Sequence, residues 1–204
     1  LVVGGVGFLM LFFVGISWRS LAIAALILTA SAYPAWHALH AYQQRRILTL
    51  INPEADPQGS GYHIIQSKIA IGSGGLSGKG WGESTQASLN FLPEHTTDFA
   101  FSVFSEEWGW IGVLTVISLY FFIIARSLWM AMNAKDTFSR LLAGSLAMTF
   151  FIYVIVNGGM VAGYLPVVGV PMPLISYGGT SAVSLLAGFG LVMSAYAHRK
   201  PMAN

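Results

Sequence analysis

The chain has 204 residues, of which 55% are apolar and only 9% are charged, against roughly 25% charged in a soluble domain. With a mean hydropathy of +0.66 and 13% aromatic residues, this excludes an ordinary soluble domain, a disordered segment and a charged coiled coil, and leaves a membrane-embedded helical protein. No cysteine is present, which removes disulfide scaffolds, Cys-ligated zinc, iron–sulfur centres and thiol nucleophiles. The net charge of +2 rests on scattered Lys and Arg that form no basic stripe, so nucleic acid is not an expected partner.

A helix needs about 20 apolar residues to cross the hydrocarbon core, so charge-free intervals mark the expected spans. Residues 1–18 end at Arg19, and residues 20–40 follow with Pro34 as an expected kink. Residues 108–131 contain Arg126, late enough to snorkel to the interface. Residues 141–198 hold no Lys, Arg, Asp or Glu; spans over 141–161 and 174–197 fit there around a Gly- and Pro-rich connection. The expected fold class is all-α: a polytopic helical membrane protein with about five transmembrane helices in a single membrane domain. Residues 41–107 form one long loop with short interfacial helices. Arg19, Arg126, Lys135, Arg140, Arg199 and Lys200 fall on one side with Asp136 as its acid. The positive-inside rule puts that side and the C-terminus in the cytoplasm and the long loop outside. The run from Leu1 is too long and unpolarised for a signal peptide, and the chain reads as a C-terminal piece.

The loop carries four basic and seven acidic residues, which points to function rather than disorder. Residues 62–71 put Ile64, Ile65 and Ile69 on neighbouring helical positions with Lys68 beside them, the pattern of an interfacial helix or equally of loop packing. Arg45 and Arg46 at a span border suit anionic lipid or a phosphate. The block GSGGLSGKGWG at 72–82 fails Walker A spacing, since Ser73 and Gly80 stand where Gly and Ser or Thr are required. It reads as a flexible, cationic, aromatic-bearing turn able to approach a lipid headgroup, or as a plain turn.

Residues 92–107 (LPEHTTDFAFSVFSEE) gather Glu94, His95, Asp98, Glu106 and Glu107 just before a span, and carboxylates at the dry edge of a membrane need a reason. Asp98 fits either catalysis or the N-cap of the helix running into Trp108. Glu94 and Asp98 share a face if that stretch is helical. Glu94, His95 and Asp98 offer donors to a divalent cation such as Mg2+ or Mn2+, though the pattern requires no cofactor. Irregular backbone at 157–181 implies a cavity lining. Ser176 and Tyr177 are candidates for polar substrate contacts there, and Gly178 and Gly179 for close helix packing.

Three blocks, GYHIIQSKIAIGSGGLSGKG at 61–80, LPEHTTDFAF at 92–101 and LPVVGVPMPLISYGGTS at 165–181, together resemble the RodA branch of the SEDS family (shape, elongation, division and sporulation). The lysine-bearing GKG is closer to that branch than to the FtsW branch. The family has about ten spans with both ends cytoplasmic, so the resemblance makes this chain its second half. The long loop becomes the large extracytoplasmic loop between the seventh and eighth spans. One departure stands out: the family commonly shows His-Thr-Asp, whereas here Thr96 and Thr97 precede Asp98 and His95 is displaced by one position. Asp98 itself still matches.

The resemblance implies a peptidoglycan glycosyltransferase that polymerises lipid II outside the bacterial cytoplasmic (inner) membrane during cell elongation and rod-shape maintenance. Its implied partners are lipid II, the nascent glycan strand, a class B penicillin-binding protein acting as transpeptidase, and other elongation-complex membrane proteins. In that reading Asp98 is the general base for the acceptor 4-hydroxyl. Lys79, Lys68 and Arg45 are the candidates to meet the departing diphosphate, with Glu94 and Ser176 as further substrate contacts. A cavity between two halves of such a fold would lack one wall here, so residues 1–204 alone are expected to be inactive. Two other readings compete. A flippase for lipid-linked precursor needs polar groups along the bilayer path, which these spans scarcely hold; a non-catalytic scaffold predicts that Asp98 is freely replaceable.

Overall fold

A computed structural model describes residues 4–7, 17–55, 59–89, 91–92 and 96–197, and among these the regular structure is entirely helical. In chain order the elements are α1 (Trp18–Ala38), α2 (Ala41–Ile51), a 3-10 turn (Pro53–Ala55), α3 (Ser60–Ser73), α4 (Thr85–Ser88), α5 (Ala100–Met132), α6 (Thr137–Val161) and α7 (Gly179–Ala197). Helices α5, α6 and α7 are long and apolar enough to cross a membrane, and the chain is a polytopic helical membrane protein. The expected span over 1–18 falls mainly outside the described residues.

Local chemistry sets the helix starts. Ser17 caps α1 by accepting from the Ser20 amide, and Pro34 lies within that helix. At the head of α6, Asp136 accepts from the Ser139 amide (3.0 Å) and hydroxyl (2.9 Å). Those bonds hold its carboxyl below the ordinary range. Helix α5 starts at Ala100, well before Trp108, because the stretch that ends in Glu106 and Glu107 ahead of the apolar run is itself helical and joins it across a break at Gly109. Helix α7 starts only at Gly179: Leu174 has a φ of 62°, and the Ser176 amide bonds back to the Met172 carbonyl, so the preceding residues form a turn.

The core lies between α5 and α6. Phe101, Val113 and Tyr120 meet Phe150, Met160 and Val161, with Leu92, Phe99 and Met172 closing one end. At the other end the small residues Ala131 and Ala143 let Val192 of α7 approach. There Arg126 stacks its guanidinium 4.4 Å above the Trp129 ring, a cation–π contact that steadies a charge near the apolar run. Phe121 and Phe122 on α5 and Leu186 and Met193 on α7 point outward, as lipid-facing side chains would.

Helix α3 packs on protein through a narrow stripe of Gly61, Ile64, Ser67, Ala70 and the adjoining Gly74, all buried. Ile64 is 1% exposed whereas Ile69 is 47% exposed, so the three isoleucines do not act as one face. Ser67 explains the close fit: its hydroxyl donates to the Val161 carbonyl (2.6 Å) and accepts from the Ser102 hydroxyl (2.8 Å), tying α3 to α6 and α5.

Candidate active site

The glycine block is braced into α5. At Gly109 the helix breaks with φ 61° and ψ −162°, a conformation open essentially to glycine. The break exposes helix-end groups on both sides, and the block satisfies them. The amides of Trp110 and Ile111 donate to the carbonyls of Gly75 (2.9 Å) and Leu76 (3.1 Å). The carbonyls of Glu106 and Glu107 accept from the amides of Lys79 and Gly80, both at 3.0 Å. The loop thus completes the ladder that the broken helix lacks. A Cβ at Gly78 would overlap the Glu107 carbonyl, so glycine permits the close approach. Two amides of the block that a phosphate cradle would use are spent on helix carbonyls.

Glu106 fastens the same joint. Its carboxylate is fully buried and pairs with the Lys79 ammonium at 2.6 Å. Oε1 also accepts from the Thr85 hydroxyl (2.7 Å), the Thr85 amide (3.2 Å) and the Ser73 hydroxyl (3.2 Å); Oε2 accepts from the Ser84 hydroxyl (2.5 Å) and the Gln86 amide (3.3 Å). Lys79 is therefore engaged by a carboxylate and by the Thr85 hydroxyl. Trp81 and Trp108 stand beside this joint with ring centroids 6.4 Å apart.

Asp98 lies at the other irregular segment. Helix α5 has Phe99 at its N-cap with no side-chain cap bond, so Asp98 is not in the N-cap position. It sits in the turn at 96–99, against the connection from α6 to α7. The open side of Gly169 (φ 71°) faces its carboxylate: a Cβ there would stand 3.2 Å from Asp98 Oδ2. The Tyr177 amide donates to the Thr96 carbonyl at 2.9 Å. Asn157 of α6 donates to the Asp98 carbonyl at 2.8 Å and to the Val170 carbonyl at 2.7 Å.

Two cations reach the same connection. Arg46 of α2 donates through Nη1 to the Val167 carbonyl at 3.0 Å, and the Lys68 side chain lies against Gly163, whose Cβ would stand 2.7 Å from Nζ. Of the sequence candidates, Asp98 and Lys68 are thus brought to one segment, whereas Lys79 is held by Glu106. Arg45 lies on α2, with its side chain outside the described residues. Glu94 and His95 also fall outside them. Ser176 accepts from the Met172 amide at 2.8 Å, which gives its oxygen a turn-closing role. Among the described residues Gly178 and Gly179 make no tight helix contact: a Cβ at Gly178 would meet only Ser181 Cβ at 3.5 Å and one at Gly179 nothing within 4 Å. A cavity of about 480 Å³ opens between α6 and α7, lined by Tyr153, Pro171, Thr180 and Ser181 among others; Asp98 is not among its walls. Among the described residues no group of three His, Cys, Asp or Glu could hold a metal ion.

Sequence reasoning missed Asn157. Its signal was an amide inside a long uncharged interval, where a buried polar group needs partners.

These features define a polytopic membrane protein whose charged chemistry is gathered where irregular backbone meets the ends of its helices. The chain belongs to the FtsW/RodA/SpoVE family of cell cycle proteins, whose model matches residues 1–201. The peptidoglycan glycosyltransferase MrdB of Escherichia coli (strain K12) is 53% identical over 198 residues, covering 97% of this chain and 54% of MrdB. The peptidoglycan glycosyltransferase RodA of Treponema pallidum (strain Nichols) is 42% identical over 156 residues, 76% of this chain and 36% of that protein. Among solved structures, a chain from a study of how a peptidoglycan synthase complex coordinates polymerization and crosslinking gives a TM-score of 0.75 at 32% identity. It covers 97% of this chain and 55% of its own. The rod shape determining protein RodA of Thermus thermophilus gives 0.59 at 30% identity, with 98% and 49% covered. The chain spans about half the length of the curated relatives it matches.

Proposed function

We propose that this chain forms part of a peptidoglycan glycosyltransferase that polymerises lipid II during cell elongation, with Asp98 as general base. The observation that carries the reading is the meeting of Asp98, Lys68 and Arg46 on one connection, at Gly169, Gly163 and Val167. A sugar hydroxyl is a weak nucleophile, so a carboxylate within reach of the acceptor 4-hydroxyl takes its proton as the oxygen attacks the anomeric carbon. The bond from that carbon to the diphosphate breaks on the opposite face, and the diphosphate leaves with the electron pair. One displacement turns the α-linked donor into a β-1,4 glycosidic bond without a covalent enzyme intermediate. Negative charge grows on the departing oxygen, and Lys68 and Arg46, with Arg45 on the same helix, supply compensating charge.

The names of the relatives support the reaction class, and the synthase-complex neighbour supports pairing with a class B penicillin-binding protein. The excess of Lys and Arg on the other side supports a site that faces outward from the cytoplasmic membrane.

The test is lipid II polymerisation by the full-length protein with its transpeptidase partner, comparing wild type with Asp98→Asn. Loss of the basic oxygen should lower turnover by about a hundredfold or more, with folding and partner binding retained. Near-normal synthesis by the Asn variant would remove Asp98 as base and make Glu94 the next carboxylate to examine.

A further inference from the structure

Asn157 is fully buried in α6, where a side-chain amide without partners is a stability cost. Its two N–H groups are both used, and both go to irregular backbone: one to the Asp98 carbonyl at 2.8 Å, the other to the Val170 carbonyl at 2.7 Å. Two carbonyl partners identify that end of the amide as the NH2 group. Among the described residues its Oδ1 is buried with no hydrogen-bond partner. An amide chosen for packing alone would not carry an orphan acceptor, since an apolar side chain of similar size fills the space without one. Because the two donors leave one planar group at a fixed angle, Asn157 sets the spacing between the turn at 96–99 and the segment at 169–170. Gly169, next to Val170, is the residue whose open side faces Asp98 Oδ2.

We infer that Asn157 is a positioning residue for Asp98: by clamping the Asp98 and Val170 carbonyls to one amide, it holds the carboxylate in place over Gly169. The inference rests on the reading of Asp98 as general base. Both donors of Asn157 go to backbone carbonyls, so it acts on the acid through the backbone. A small displacement of a base relative to its hydroxyl costs turnover far more than binding, because the proton transfer depends on close alignment.

The experiment uses the full-length protein with its transpeptidase partner and lipid II as the probe. Asn157→Leu keeps the volume and removes both donors. The expected result is a folded protein whose kcat falls by roughly tenfold to a hundredfold while KM for lipid II stays within about twofold. The acidic limb of its pH–rate profile should move, because the surroundings of the Asp98 carboxylate have changed. Asn157→Ser, which keeps one donor, should fall between Leu and wild type, and it serves if the Leu variant does not fold. An unchanged kcat in a folded variant overturns the inference. So does a fall in kcat with an equal rise in KM and an unmoved acidic limb, and so does failure of both variants to fold, which would make Asn157 a structural residue. Asp98→Asn is measured in the same series. If it polymerises normally, the reading of Asp98 fails and the inference falls with it. If Asp98→Asn is inactive and the Asn157 variants match wild type, only the positioning role fails.

Discussion

Glu106→Gln tests the joint between the glycine block and α5. The carboxylate receives the Lys79 ammonium at 2.6 Å together with three hydroxyls and two amides. A glutamine keeps the size and one acceptor. If its oxygen takes the Oε1 position, the NH2 group faces the Gln86 amide, which then has no acceptor, while the Ser84 hydroxyl can turn to accept. The change therefore removes one backbone bond to a charged group, worth about 1.5–3 kcal/mol, and the charge that Lys79 pairs with. Removing one partner of a buried pair costs about 3–5 kcal/mol, but Lys79 is 30% exposed and can turn its ammonium into water. The expected destabilisation is accordingly nearer 2–3 kcal/mol than the sum of the two. Thermal unfolding in detergent measures it. A variant within about 0.5 kcal/mol of wild type would refute the idea that this carboxylate holds the loop.

Gly109→Ala should destabilise by about 3 kcal/mol or more, because a Cβ there would overlap the Gly78 amide and stand 2.8 Å from the Leu76 carbonyl; unfolding near the wild-type temperature would contradict the inserted loop. For orientation, Ser77→Cys should react with an impermeant thiol reagent in intact cells and Lys135→Cys only after the cytoplasmic side is opened. The 204 residues contain no competing cysteine, and the reverse pattern would place the Asp98 face inside.

Three of the five uncharged runs lie on α5, α6 and α7, legible from sequence because charge is excluded from a bilayer core. Their ends were less so. Nothing in a hydropathy pattern says that residues 100–107, which end in two glutamates, continue the helix, or that a turn at Leu174 delays α7 to Gly179, since both depend on bonds to distant segments. The glycine block shows the same limit. Its sequence reads as a flexible turn able to approach a lipid headgroup, but such a turn and a loop inserted into a helix break demand the same glycines. Only the bonds from Gly75, Leu76, Lys79 and Gly80 to α5 distinguish them. Asp98 was found through its motif. Arg46 and Asn157, which reach the same connection, lie 121 and 13 residues from their carbonyl partners Val167 and Val170. Arg46 sits at the wrong distance for any local pattern.

The two irregular segments solve one physical problem in the same way. Non-helical backbone near a membrane must find hydrogen bonds within the protein, and here each segment finds them on a neighbouring element. The glycine block bonds to both sides of the break in α5, while the connection after α6 bonds to Asn157, Arg46 and the Thr96 carbonyl. Asp98 lies against the second of them, at Gly169, and is followed at once by the buried Phe99 and the start of α5. A carboxylate on a free loop would have to be ordered each time a hydroxyl arrives. One held between a braced segment and a helix is ordered beforehand, and preorganisation of that kind is what the proposed proton transfer from a weak nucleophile requires.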